Sequence, residues 1–169
     1  MQAFATGILS AMGHNPTIGI RKFSGEVNFN QETAQGSGFH LAVDATSLGV
    51  QDDISNKDRS EIERLMKEQV LETTKYPEIA YDAASVSVTR LGDSLYSARL
   101  EGQLSLHNVT CNQPVTARIA AFGNMLRASG EFSVSQSDFQ IKPVSFAGGA
   151  LKIKDELKLS FEIVAREQE

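Results

Sequence analysis

The sequence predicts an all-β fold, an antiparallel barrel or sandwich of about eight strands with one amphipathic α-helix. Three observations carry this. In the stretch Leu95–Ile141, Tyr96, Ala98, Leu100, Gly102, Leu104 and Leu106 alternate with Ser97, Arg99, Glu101, Gln103 and Ser105. Successive side chains of a strand point to opposite faces, so one face here is apolar and the other wet. The same alternation returns after short turns, in Leu126, Ala128, Gly130, Phe132, Val134 and in Leu157, Leu159, Phe161, Ile163, Ala165. Between Asp58 and Glu72 the period changes: Ile62, Leu65, Met66, Gln69 and Val70 fall at the i, i+3, i+4, i+7, i+8 spacing of a helix. One helix laid on a curved sheet fits a barrel with one covered end or side.

Along the chain, Phe4–Met12 reads as a first strand and Gly13-His14-Asn15-Pro16 as a turn. Thr17–Phe29 reads as a second long strand. Its apolar phase slips between Ile18, Ile20 and Phe23, Val27, Phe29, which predicts a bulge near Arg21-Lys22. Asn30–Gly38 is turn material, and Phe39, Leu41, Val43, Ala45 form a third strand with His40, Ala42 and Asp44 on its other face. Ser55-Asn56-Lys57-Asp58 resembles a capping box with Asp in place of Glu, and Ser60 with Glu63 offers a second helix start. Tyr76-Pro77 returns the chain to extended structure, because a residue before proline is pushed out of the helical region. Ile79, Tyr81, Ala83 and then Val86, Val88 make the next strand, with a bulge at Ala83-Ala84, and Leu91-Gly92-Asp93-Ser94 turns the chain. Asn108–Pro114 breaks the alternating run, Val115–Phe122 resumes it, and Gly123-Asn124 turns again. Ser137–Ile141 ends or extends the strand before it, and Gly148-Gly149 precedes the last strand.

A chain of 169 residues suffices for one domain, residues 1–169, with a sizeable core and no internal repeat. A formal charge of −5 without a Lys/Arg cluster argues against nucleic acid and anionic membrane surfaces, which need concentrated positive charge. Cys111 is the single cysteine, so no internal disulfide forms. No apolar run approaches the roughly 20 residues of a membrane-spanning helix. Residues 1–20 carry no Lys, Arg, Asp or Glu, and Thr6, Gly7 and Ser10 interrupt the apolar run. The stretch therefore reads as a strand rather than a secretory signal, which predicts a cytoplasmic protein, or a periplasmic one had the N-terminus been trimmed. A homodimer is compatible with these features.

The order of the residues resembles the YceI-like family of lipid-binding domains. The resemblance is carried by Gly13-His14-Asn15 with Phe23-Ser24-Gly25-Glu26-Val27, and by Asp58-Arg59 opening a helix that leads to Thr74-Lys75-Tyr76-Pro77-Glu78-Ile79. It continues in Gly102–Thr110 with Pro114-Val115, in Gly130-Glu131-Phe132 with Ser137-Asp138-Phe139, and in Ile153-Lys154-Asp155-Glu156. Two places depart from the family pattern: Gln69–Thr74 stands where a Phe-Phe-Asp-like segment is usual, and Gln140 where Gly is common. The resemblance implies a lipocalin-like extended barrel enclosing a long-chain lipid or isoprenoid. The residues expected to line it are Phe23, Tyr81, Leu100, Leu104, Leu106, Phe132, Val134, Phe139, Leu159 and Phe161. Periodicity alone leaves open whether such a barrel is hollow or filled. The small residues Ala98, Gly102, Ala117, Ala128 and Gly130, with no Trp in the chain, would leave room if they face inward.

Reactive groups are few. His14 reads as a turn-stabilising residue and His40 as solvated. His107 and Cys111 are separated by a turn, and zinc needs three or four ligands where this pair offers two. Cys111 has no cationic neighbour in sequence to lower its pKa. Asp138 reads as a carboxylate accepting backbone N–H groups at a strand end. Lys57-Asp58-Arg59 reads as a charge-complemented helix start, with a polar rim contact as the alternative the resemblance implies, and no phosphate-cradling loop or nucleophile elbow occurs. The expectation is a carrier or sequestering protein for a lipid, with no catalytic residue, metal or cofactor. Its alternatives are an enzyme acting on that lipid through His14 or Asp138, and a filled-barrel stress or interaction module.

Overall fold

A computed structural model describes residues 5–7, 16–29, 37–142, 145–146 and 151–167. Its centre is a seven-stranded antiparallel sheet that curls into a half-barrel around the apolar face of the alternating strands. In spatial order it comprises β12 (Glu156–Arg166), β9 (Met125–Ser135), β8 (Val109–Phe122), β7 (Leu95–Leu106), β6 (Glu78–Arg90), β4 (Gly38–Asp44) and β3 (Phe23–Asn28). Two small sheets accompany it: β1 (Ala5–Gly7), β11 (Leu151–Ile153) and β10 (Ser145–Phe146) form one, β2 (Ile18–Gly19) and β5 (Gly49–Val50) the other. The antiparallel fold with one helix is the predicted one, with seven strands in the main sheet where about eight were expected. The remainder of the predicted Phe4–Met12 strand, most of the Gly13–Pro16 turn, residues 30–36 and Gly148-Gly149 lie outside the described residues.

The inner face is the predicted one. Along β7, Tyr96, Ala98, Leu100, Gly102, Leu104 and Leu106 are all buried while Leu95, Arg99, Glu101 and Gln103 are exposed. The bulge in β6 falls where expected, between Asp82 and Ser85.

Two expectations are corrected. Thr17–Phe29 is not one bulged strand: Ile18 pairs with Val50, whereas Phe23 pairs with Val43. The phase slip marks a change of sheet. Likewise Asn108–Pro114 does not interrupt the run. Only His107 and Asn108, at φ 54° and 61°, make the turn, the two-residue left-handed geometry whose twist matches a hairpin. β8 then runs unbroken through Pro114, which lies opposite Glu101. The ladder of β8 with β9 covers Arg118–Phe122 and stops short of the proline, which therefore removes no hydrogen bond on that side.

The helix α1 (Asn56–Leu65) opens at Ser55, whose Oγ accepts the Asp58 N–H at 3.1 Å and donates to the Asp58 carboxylate at 2.7 Å. This is the predicted box. A single wider turn, Met66–Val70, completes it. Leu65 and Met66 are buried, and Ile62 and Val70 pack against the core. Two side chains fasten α1 to β5 through one residue: the Glu63 carboxylate accepts the Val50 N–H at 2.9 Å, and the Arg59 guanidinium donates to the Val50 carbonyl at 2.5 Å and to the Asp52 carbonyl at 2.7 Å. Lys57-Asp58-Arg59 is thus a structural start, as read.

The half-barrel has two unlike ends. At the helix end, α1, the turn Gln136–Phe139 and the strand termini Asp44, Leu106 and Ser135 close over buried Leu48, Val50, Phe139 and Ile141. At the turn end lie the connections 91–94 and 123–124, the exit of β3 and the C-terminus of β12.

Candidate functional site

Inside the sheet, from the Tyr81–Leu104 pair towards the turn end, lies a cavity of about 190 Å³. Every strand of the main sheet contributes to it, because the inward parity of each is apolar. Leu41, Val86, Leu100, Val115, Ile119 and Phe132 are among its walls, and Leu126, Ile163 and Ala165 reach the turn end. None of its lining side chains carries a charge. The phenol of Tyr81 is already engaged, donating to the Gln113 carbonyl at 2.9 Å. Burial first, and the Glu101 carboxylate second, push its pKa up to about 12, so it stays neutral. An uncharged apolar cavity of this order stays dry and accepts hydrocarbon.

Of the ten residues the sequence placed around a ligand, Tyr81, Leu100, Leu104, Phe132, Leu159 and Phe161 line the cavity. Leu106, Val134 and Phe139 do not: Leu106 and Val134 share the inward parity but sit at the helix end, where the interior is filled, and Phe139 belongs to the turn that fills it. Phe23 is half-exposed, since β3 is an edge strand and its inner side there is uncovered, and it borders a separate shallow depression with Lys22 and Glu78. Lining residues that the sequence reading missed include Val27, Phe29, Ser37 and Phe39. The parity of Val27, Phe29 and Phe39 was available in the sequence, whereas Ser37 fell in a stretch read as turn; which end was hollow was not available.

The interior glycines do not leave the space expected of them. A Cβ added to Gly102 would fall on the Tyr81 ring and 2.9 Å from the Asp82 carbonyl oxygen. One added to Gly130 would come within 2.5 Å of the Thr116 carbonyl oxygen and 2.7 Å of Phe161 Cζ. At each glycine an aromatic ring from a neighbouring strand takes the space that a Cβ would occupy.

The reactive side chains are scattered. His40 stands on the outer face with Nδ1 2.6 Å from the Asp82 carboxylate. His107 is mostly buried at the helix end, its Nε2 2.8 Å from Glu72 Oε2 and its ring 4.3 Å from that of Tyr76. Cys111 faces inward beside Leu104, its thiol donating to the Asp138 carbonyl at 3.5 Å. Asp138 is exposed. The carboxylate that accepts a backbone N–H there is Asp155, which binds Ser137 N at 2.8 Å and Ser137 Oγ at 2.6 Å, a correction to the sequence reading. His14 lies outside the described residues. None of the described candidates lines the cavity, and no three His, Cys, Asp or Glu among the described residues are placed to hold a metal ion.

Residues 5–165 match the family model described as YceI-like domain. No curated protein matches the chain in sequence. Several solved structures share its fold. BcnA of Burkholderia cenocepacia is 17% identical, with a TM-score of 0.70 over 97% of this chain and 95% of that one. A polyisoprenoid binding domain from Saccharophagus degradans is 13% identical, with a TM-score of 0.70 over 99% and 92%. The Campylobacter jejuni YceI protein is 15% identical, with a TM-score of 0.68 over 92% and 87%.

Proposed function

The chain belongs to the YceI-like family, and on that footing we propose that it binds a long-chain apolar lipid, isoprenoid-like in its tail, and carries or sequesters it without turnover. The observation that carries this reading is the cavity whose lining side chains are uncharged and whose buried phenol is already satisfied. Such a site offers a charged headgroup no counter-charge and a hydrocarbon tail a largely apolar wall. A volume of about 190 Å³ is below the 300–1,000 Å³ of sites for drug-sized ligands. A long tail would therefore fill it with one segment and leave past Ile20 and Val27, which line the cavity yet are 43% and 36% exposed. Burial at about 25 cal/mol per Å² lets a tail of this kind bind without any charged contact. The polyisoprenoid binding domain that shares the fold supports the isoprenoid-like choice. Native mass spectrometry of protein purified from a bacterial host, followed by solvent extraction, should show a stoichiometric neutral-tailed lipid. An empty protein that also fails to take up added isoprenoid would reject the reading, and chemical conversion of the extracted lipid on re-addition would replace carriage with catalysis.

A further inference from the structure

The outer face of the turn end carries an apolar patch that the cavity does not explain. Cross-strand register places Leu95, Ala120, Arg127 and Val164 in one row over β7, β8, β9 and β12, and Phe122, Met125 and Arg166 in the next. Leu95, Phe122 and Val164 are each more than half exposed, Met125 is 37% exposed, and Leu91 in the adjoining turn is 61% exposed. Large apolar side chains gathered in this way on an outer face mark an interaction site rather than ordinary surface.

Two features identify the partner. The first is charge. Arg127 and Arg166 rise from the same face within these two rows, and Arg118 stands in the adjoining row towards the helix end, beside Ser97, Ser129 and Glu162. Arg127 is paired with Glu162 at 2.7 Å, whereas Arg118 and Arg166 have no ion pair among the described residues. These arginines are widely separated in sequence in a chain of net charge −5, and only the antiparallel register brings them together. The second is position. Ala121, Leu126 and Ala165 alternate with Phe122, Met125 and Arg166 along the same strands, pointing inward, and Leu126 and Ala165 are cavity walls. The patch is the outside of the hollow end.

We propose that this end is a membrane-docking surface: Leu91, Leu95, Phe122, Met125 and Val164 enter the interfacial region of a bilayer while Arg118 and Arg166 meet lipid phosphates. Apolar anchors combined with guanidinium groups are the arrangement that binds an anionic interface, each cation adding to what the buried surface contributes. Docking needs no bound lipid, and so stands apart from the function proposed above; if both hold, cargo passes between cavity and bilayer at one end.

The chain has no tryptophan, so one introduced indole reports alone. F122W should shift its emission to the blue on adding vesicles of four parts phosphatidylcholine to one part phosphatidylglycerol, and should co-float with them. Q103W, on the same outer face but towards the helix end, should show no shift. The pair R118Q/R166Q should weaken flotation roughly tenfold or more, with melting temperature unchanged. Absence of a shift in F122W, an equal shift in Q103W, or undiminished flotation of R118Q/R166Q would each overturn the proposal. So would a blue shift that depends on protein concentration without vesicles, which would assign the patch to a second copy of the chain. Lipid content measured on the same samples reports separately on the cavity.

Discussion

The helix end and the turn end are built from the same strands with the same alternation, yet one is solid and the other hollow. At the helix end the inward row is met by a second layer. Phe139 and Val50 are 1% exposed, and Leu48 and Ile141 3%, because α1 and the turns at 45–47 and 136–139 press onto the strand ends. At the turn end the described residues supply no such layer, and the inward side chains Leu126, Ile163 and Ala165, side by side on the paired strands β9 and β12, border the open cavity. An amphipathic strand therefore specifies which side is dry, while covering elements decide whether the dry side becomes core or cavity.

The sharpest way to break that contrast is to remove a large side chain from each end. Phe139→Ala should cost about 3–5 kcal/mol, as for a fully packed aromatic. Ile163→Ala, half-buried beside a void, should cost only about 1 kcal/mol. Equal losses in chemical denaturation would mean that the interior is evenly filled. Next in size is Gly102→Ala. Its methyl group would displace the Tyr81 ring and crowd a carbonyl, and should lower stability by about 1–3 kcal/mol. The double change with Tyr81→Ala should lose less than the sum of the singles. At the helix end, Gln140 sits at φ 58° and ψ 19°, a left-handed conformation that costs a side chain about 1 kcal/mol. Gln140→Gly should raise the unfolding midpoint accordingly, and an unchanged or lower midpoint would show that the Gln side chain repays the strain. Smallest in stability, but most telling for the cavity, is Ala128→Leu on the cavity wall. It should hold or raise apo stability by about 0.5 kcal/mol while lowering lipid stoichiometry; destabilisation with undiminished lipid would place Ala128 in packed core.

Much of this was legible in the sequence because it depends on parity and on local signals. The inward rows of β7, β9 and β12, the Ser55 cap and the bulge after Asp82 needed only neighbouring residues. The failures share a cause. Asn108–Pro114 looks like a loop by composition, but whether proline harms a strand depends on what lies beside it, and the β8–β9 ladder ends at Arg118. Thr17–Phe29 slips phase because its halves answer to different partners, β5 and β4. Leu106 and Val134 have the parity of a cavity wall, and only the layer from α1 and the 136–139 turn, Phe139 included, excludes them. Gln140 is the exception: its departure from the family's usual Gly was visible, and it coincides with the position where backbone sterics favour Gly.

The meander from β6 to β9 also carries a kinetic consequence. Its strands are sequence neighbours joined at 91–94, 107–108 and 123–124, so each pairing closes a short loop and loses little chain entropy. The walls on either side are slower propositions. β4 can meet β6 only after residues 45–77 have been gathered in, and β12 can meet β9 only after residues 136–155 have been looped back. Assembly is therefore expected to proceed from the floor of the half-barrel outward, with β12 among the last strands to seat. In that order the cavity would be completed late, as Leu159 and Phe161 take their places opposite Phe132 and Gly130.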